Sequence, residues 1–490
     1  MSRAIIQSQK AIVAASNDTG SFKTTNIDLN LINNVQNASF SIAFPHEKSK
    51  QLGRQDFSID NTFIQPDVEL TLSYIPEAKL QNEINSNFIS GANSYATNVQ
   101  ALAGSLPKNT NFLIINSPDD GKDALDSVTV GGSAVDLTGF EAAAFGNCFL
   151  TSYGLTYGVN SLPIVTTSYV ASNAKFEKLT GTSMESPAIN LLQGNNNNVG
   201  LLNFTFDNGT KDPKVPTPND SNSSISFENL QVGGQAISGS HLVQSVDMSV
   251  ALQRVSNYGF GSDFSYDRKA EMPANGSFSI SSLVSGYGNG NITGVLDTEQ
   301  KYNFDLILSA SSSHDYALDG TFTKGYGAGG NWSSSNASQV VINTADNLVH
   351  FNTTATQTFT QTDPLPLRAV RVLITFTISD YAAGGIRLTM PTPAAGTLFN
   401  SDGTYQVEVT TSPLLANYND IQFTSAGATN LKLSNVSAVQ VPEKLKYSVS
   451  DARLESYSSS IPVNGIMSFD ASFTFPVNET VGLTLSGTPY

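Results

Sequence analysis

A repeat constrains this chain more than any other feature. Ser39–Tyr74 reads as a strand, a long loop and a second strand, and Asp247–Leu283 reads the same way. Ser41-Ile42-Ala43-Phe44 aligns with Ser249-Val250-Ala251-Leu252, and Gly53 aligns with Gly261. After one dropped residue, Asp56-Phe57-Ser58-Ile59-Asp60 aligns with Asp263-Phe264-Ser265-Tyr266-Asp267, and Pro66 with Pro273. The flanking strands alternate with period two, which predicts half-buried antiparallel sheet. Phe40, Ile42, Val68, Leu70, Leu72 and Tyr74 form one apolar face; Met248, Val250, Phe278 and Ile280 form the other. The opposite faces are small, hydroxylated and occasionally acidic, with no Lys or Arg. They carry Ser39, Ser41, Glu69, Thr71 and Ser73 in the first copy, and Asp247, Ser249, Ser277, Ser279 and Ser281 in the second.

Two further blocks repeat. The strand and turn from Asn111-Phe112 to Asp123 matches that from Asn303-Phe304 to Asp315. The hairpin Cys148–Phe176 matches Tyr447–Phe475 when Leu155 is laid over Leu454 and Pro163 over Pro462. The expected organisation follows. Residues 1–206 are one domain, 207–224 a polar linker, and 225–325 plus 441–490 a second, interrupted copy. Residues 326–440 hold some eight short β-patterned runs and read as an inserted jelly-roll sandwich. Lys10–Ala15 and Ile27–Ile32 read as short strands, and one helix is expected within 77–105. The fold class is therefore mainly β: two tandem sandwich or barrel-forming domains with short flanking helices, plus the inserted sandwich.

Composition narrows the function. With 39% hydrophobic residues the chain can build sizeable cores, and only 13% of its residues are charged. A net charge of −16 makes it a poor gripper of phosphate backbones, although DNA could still slide past it. The one cysteine, Cys148, excludes an internal disulfide. The first twenty residues read as no signal peptide, and no apolar run approaches the ~20 residues of a membrane helix.

Signals for chemistry are weak. Gly181-Thr182-Ser183-Met184-Glu185-Ser186-Pro187 resembles the serine motif of subtilases, but no histidine or aspartate sits in a matching context. His46, His241, His314 and His350 are dispersed, without metal-ligand spacing. Asp119-Asp120-Gly121 through Asp126 reads as an acidic turn rather than a calcium loop, because it lacks the distal glutamate. The single tryptophan, Trp332, reads as a core residue. No catalytic residue, metal site or cofactor is expected, and the chain does not read as an enzyme.

The duplicated hairpins, each with a long loop between its first two strands, resemble siphophage tail-tube (major tail) proteins. The carriers are Ser39–Tyr74 with Gly53 and Asp56-Phe57-Ser58, its Asp247–Leu283 copy, and the hairpins Phe149–Val170 and Tyr447–Phe475. The resemblance implies a ring of six tube domains, built here from three chains with pseudo-six-fold symmetry. Two hairpins per domain would join neighbours in a closed barrel around the DNA channel. It implies that Pro45–Gln65 and Gln253–Met272 stack one ring on the next, with Gly53, Asp56 and Phe57, and Gly261, Asp263 and Phe264, in those loops. The hydroxylated faces would line the lumen. Partners would be the chain itself, the tape measure, tail terminator and distal tail proteins, and DNA passing without sequence-specific binding. The protein would be assembled in the host cytoplasm and reside in the virion. The insert is similar to carbohydrate-binding-like jelly rolls, would face outward, and could take a glycan. The alternative is a glycan-binding or host-adhesion protein of the virion surface, with the small polar faces as ordinary solvated sheet.

Overall fold

A computed structural model gives the architecture. It describes residues 11–18, 27–44, 46–50, 52–53, 55, 57–63, 67–77, 80–86, 96–98, 109–117, 134–188, 200–207, 224–228, 231–232, 235–236, 243–258, 265, 267–283, 301–310, 315–326, 332–362, 364–365, 371–390, 397–410, 420–441, 443–460, 468–477 and 482–487. The chain is mainly β and forms two compact units, 1–310 with 443–490, and 311–442.

In chain order, the first copy contains β1 (Ala11–Asp18), β2 (Ile27–Leu31), β3 (Val35–Ala43), β4 (His46–Lys50), β5 (Phe57–Phe63) and β6 (Asp67–Tyr74). Helix α1 (Gln81–Asn85) falls within the stretch where the sequence predicts one. Then come β7 (Ala96–Asn98), β8 (Asn109–Asn116), β9 (Glu141–Gly158), β10 (Ile164–Ala171), β11 (Asn173–Lys178), β12 (Ser183–Glu185) and β13 (Leu201–Asp207). The second copy supplies β14 (Ser224–Glu228), β15 (Gln231–Val232), β16 (Gln235–Ala236), β17 (Val243–Ala251), β18 (Arg254–Asn257), β19 (Asp267–Ala270), β20 (Ala274–Leu283) and β21 (Tyr302–Ala310).

The second unit follows, with β22 (Trp332–Ser334), β23 (Val340–Asn343), β24 (Leu348–Thr353), β25 (Thr358–Gln361), β26 (Arg371–Ala383), β27 (Ile386–Met390), β28 (Leu398–Phe399), β29 (Gly403–Thr410), β30 (Ile421–Ser425) and β31 (Thr429–Gln440). They form two five-stranded sheets, β22-β25-β30-β27-β28 and β23-β24-β31-β26-β29. Trp332 is buried there, stacked on Phe359 at 4.6 Å, with its indole N–H donating to the Leu318 carbonyl. This unit begins earlier than 326. Ala317 and Phe322 are in its core, and the Ala438 N–H donates to Asp315 Oδ1. The early stretch lacks strand periodicity, so alternation does not reveal it. The chain then returns to the first unit through β32 (Glu443–Ser460), β33 (Ser468–Val477) and β34 (Leu483–Gly487). Ala310 and Glu443 are register partners, so the second unit leaves and re-enters between two neighbouring strand ends.

The duplication is written into the registers. Phe40 pairs with Leu70 and Met248 with Phe278, an offset of 208 on both strands, and each pairing carries a bulge at its start, at Val35/Asn37 and Val243/Ser245. Strands β8 and β21 correspond with an offset of 192, because Phe112 faces Phe145 as Phe304 faces Val449. The hairpin offset is a correction. Ser168 pairs with Ser152 and Tyr169 with Leu150 across a bulge; Ser472 pairs with Ser456 and Phe473 with Leu454 across the same bulge. Leu454 therefore corresponds to Leu150, an offset of 304, not to Leu155. The proline turns had suggested a match that strand pairing does not keep.

The long strands β9 and β32 each run from one sheet layer into another. The bend is a bulge with a left-handed residue, Asn147 at φ 52° and Asp451 at φ 57°. Asn and Asp tolerate that conformation better than most residues. Each bulge frees a backbone N–H from the ladder, and a side chain one strand away recovers it. Asn147 N donates to Asn111 Oδ1 and Asp451 N to Asn303 Oδ1, both at 3.1 Å.

Candidate functional site

The pairings β3-β6-β10-β9 and β17-β20-β33-β32 each make a four-stranded sheet, and β9 pairs with β17. The two copies thus share one eight-stranded antiparallel sheet with β3 and β32 at its ends. They also share one core, in which Leu70, Tyr153, Val250, Phe278 and Phe473 are all buried.

Register places all ten sequence-predicted lumen residues on the face opposite that core. Ser39, Thr71, Ser168 and Ser152 lie in one cross-strand row. Ser73, Thr166, Gly154, Ser249, Ser277 and Thr474 lie in the next. Thr156, Asp247, Ser279, Ser472 and Ser456 make a third. Ser41 pairs with Glu69, and Ser281 with both Ser245 and Asp470. Every one of the ten is exposed or half-buried.

Neighbouring hydroxyls satisfy one another. Thr71 and Ser168 are 3.3 Å apart, Ser73 and Thr166 3.2 Å, Ser249 and Ser277 2.7 Å, and Ser456 and Ser472 2.6 Å. Thr474 donates to Glu455 at 2.7 Å. Such ladders stiffen a sheet face without charge. Among the described residues of these eight strands, the face carries Asp67, Glu69, Asp247, Glu455 and Asp470 against one base, Arg453. The serines and threonines of β9, β10, β32 and β33 were not singled out from sequence. Their alternation, as in Ile164–Ala171, was the available signal.

Between β3 and β6, and again between β17 and β20, the sequence predicts long loops. The structure instead forms two-stranded ribbons, β4 with β5 and β18 with β19. Gly53 turns the first ribbon at φ 87°, beside an exposed Leu52, and Phe57 opens β5. Asp56, Gly261, Asp263 and Phe264 lie outside the described residues. The second ribbon is pinned at its base. Arg254 donates to the carbonyls of Leu150 at 2.6 Å and Arg268 at 2.8 Å, and its guanidinium lies 5.5 Å from the Phe149 ring centre.

A buried polar knot joins the copies behind the sheet. The Tyr74 hydroxyl donates to Glu83 Oε1 at 2.9 Å, and Tyr153 donates to the Tyr447 hydroxyl at 3.4 Å. Burial is the main cause that pushes the Glu83 carboxyl up to about 7. The sequence analysis did not pick out Glu83, because nothing local marks a glutamate on a five-residue helix as buried.

The subtilase-like stretch becomes the edge strand β12, with Ser183 paired to Asn203 and Met184 buried. His241, His314 and the Asp119–Asp126 turn lie outside the described residues. Among the described residues no group of three or more His, Cys, Asp or Glu side chains could hold a metal. No helix among them is long and apolar enough to cross a membrane. No protein-family model matches the sequence, and comparison with curated proteins returns no match.

Proposed function

We propose that this chain is the structural subunit of a phage-type tail tube, in which three chains form a ring with pseudo-six-fold symmetry and rings stack into a conduit for DNA. One observation carries the reading: two repeat copies are fused edge to edge into a single sheet with one hydroxylated, weakly acidic face. The pairing that fuses them, β9 to β17, can be repeated between chains. By the repeat, β32 corresponds to β9 and β3 to β17, so the free ends of the sheet are complementary. Propagating that contact three times would close a barrel and leave no exposed edge. The face is suited to a lumen. It is wettable, holds few cations to trap phosphates, and eight of its hydroxyls pair with one another. The two ribbons project from equivalent points of the repeat, where contacts between rings would be made.

Negative-stain microscopy of the purified protein tests this. Rings or tubes with an open bore are expected. Dispersed single chains at high concentration would refute the reading.

A further inference from the structure

The first copy carries an open groove of about 380 Å³ beside the free edge of β3. It is lined by Ala38, Phe40, Ile114, Ala143 and Phe176 among others. Phe40 is 45% and Phe176 54% exposed, and Phe40 lies 5.5 Å from Phe176 and 5.1 Å from Phe145, ring centre to ring centre. Exposed phenylalanines clustered at a sheet edge mark a contact surface.

The repeat says what covers it. The established offsets carry Ala38 to Val246, Phe40 to Met248, Ile114 to Leu306 and Ala143 to Tyr447. Phe176 pairs with Ala143 as Leu485 pairs with Tyr447, so Phe176 corresponds to Leu485. All five counterparts are buried, none more than 3% exposed. The first copy of the same chain buries them. Strand β9 lies along β17, Tyr153 reaches the Tyr447 hydroxyl, and β7 pairs with β34. Phe44 fits the same logic: it is 62% exposed, and its counterpart Leu252 is 2% exposed with its N–H donating to the Thr151 carbonyl.

We infer that this groove is the socket for the Tyr457 segment of a second copy of the chain. Tyr457 is the counterpart of Tyr153 by the offset of 304, and it sits half-buried on the last strand of the sheet, on the side of the core. Tyr153 pairs with Val250, and Gly154 with Ser249. Carried across chains, Tyr457 pairs with Ile42 and Ser458 with Ser41. The second copy has a tyrosine, Tyr447, where the groove has Ala143, so the socket has room for an incoming aromatic ring. The groove also carries Asn116, Glu141, Glu177 and Lys178, and an aromatic anchor seated on its phenylalanines within such a polar rim is the usual centre of a contact of this kind. The inference rests on the ring reading and specifies its joint.

The test uses the full chain. Cysteines at Ser41 and Ser458 should form an intermolecular disulfide under mild oxidation, and cysteines at Ser39 and Ser458 should not; the native Cys148 is buried. Phe40→Asp and Tyr457→Ala should each weaken assembly by about thirty-fold or more. Both side chains are at least partly exposed, and circular dichroism should show unchanged folding. If the wild-type chain stays monomeric, the ring reading and the socket fall together. If rings form normally in both variants, or the Ser39 pair crosslinks in place of the Ser41 pair, the socket is wrong and the ring reading stands.

Discussion

The two copies of the repeat share a backbone plan but not an environment. Bulges recur at Val35/Asn37 and Val243/Ser245, and again at Leu150/Ser152 and Leu454/Ser456. Asn111 and Asn303 clamp the same bend. The side chains diverge where the surroundings do. In the second copy the flank of the sandwich is covered by the first and filled with Val246, Met248, Tyr447 and Leu485; in the first the flank is open and carries Phe40 and Phe176. Backbone geometry is held by hydrogen bonding that both copies must satisfy. Side chains at an edge answer to whatever neighbour arrives.

Behind the joint between the copies the first copy buries an acid, Glu83 of α1, whose titration should report on that joint. Glu83 has a folded-state value of about 7 against an ordinary value of 4.5. A raised carboxyl favours the folded state while protonated. Its contribution is complete below pH 4.5, declines as pH rises towards 7, and is lost above. The expected loss across that window is about 3 kcal/mol. Urea unfolding of wild type and Glu83→Gln between pH 5 and 8 checks it: the wild-type slope should largely vanish in the variant. Equal slopes would mean that Glu83 is not the titrating group.

A second comparison concerns one pair inside the sheet. Val68 faces Ala171 in the first copy, and Gly276 faces Phe475 in the second. A side chain on Gly276 would run into the Phe475 ring. Gly276→Val should cost about 2–3 kcal/mol through overpacking. The double variant Gly276→Val with Phe475→Ala rebuilds the first copy's pair and should be less destabilised than the sum of the two single changes. Additivity in a double-mutant cycle would show that the two positions do not share space.

The smallest effect is expected at the clamps. Asn111 is buried and Asn303 exposed. Asn111→Ala should cost about 2 kcal/mol, because it leaves a buried amide unpaired. Asn303→Ala should cost about 1 kcal/mol or less, because water can replace the lost acceptor. Thermal unfolding of the two variants ranks them, and the reverse order would contradict the account.

Much of this was legible from the residues. Alternation in Ser39–Ala43 and Asp67–Tyr74 fixed which side chains share a face. The eight β-patterned runs of the second unit all became strands. What failed has physical reasons. Phe57–Phe63 places Phe57, Ile59 and Phe63 in alternation, but its partner His46–Lys50 is polar at every position, so no pair of apolar strands showed and the stretch read as loop. The Pro163 and Pro462 turns looked equivalent, yet the repeat is held in register by the bulges at Asn147 and Asp451, which local composition does not reveal. The β9–β17 joint is a contact between residues far apart in the chain, and no window of sequence contains both partners. Glu83 accepts from Tyr74 only nine residues away, but Tyr153 and Tyr447, which complete its surroundings, are distant in the chain.

The central claim is that the joint within the chain is repeated between chains. Native mass measurement of assembled rings tests it most directly. Eight strands per chain and a six-domain ring require a species of three chains, abolished by Phe40→Asp. A ring of six chains, or a wild-type protein that remains monomeric at high concentration, would contradict it.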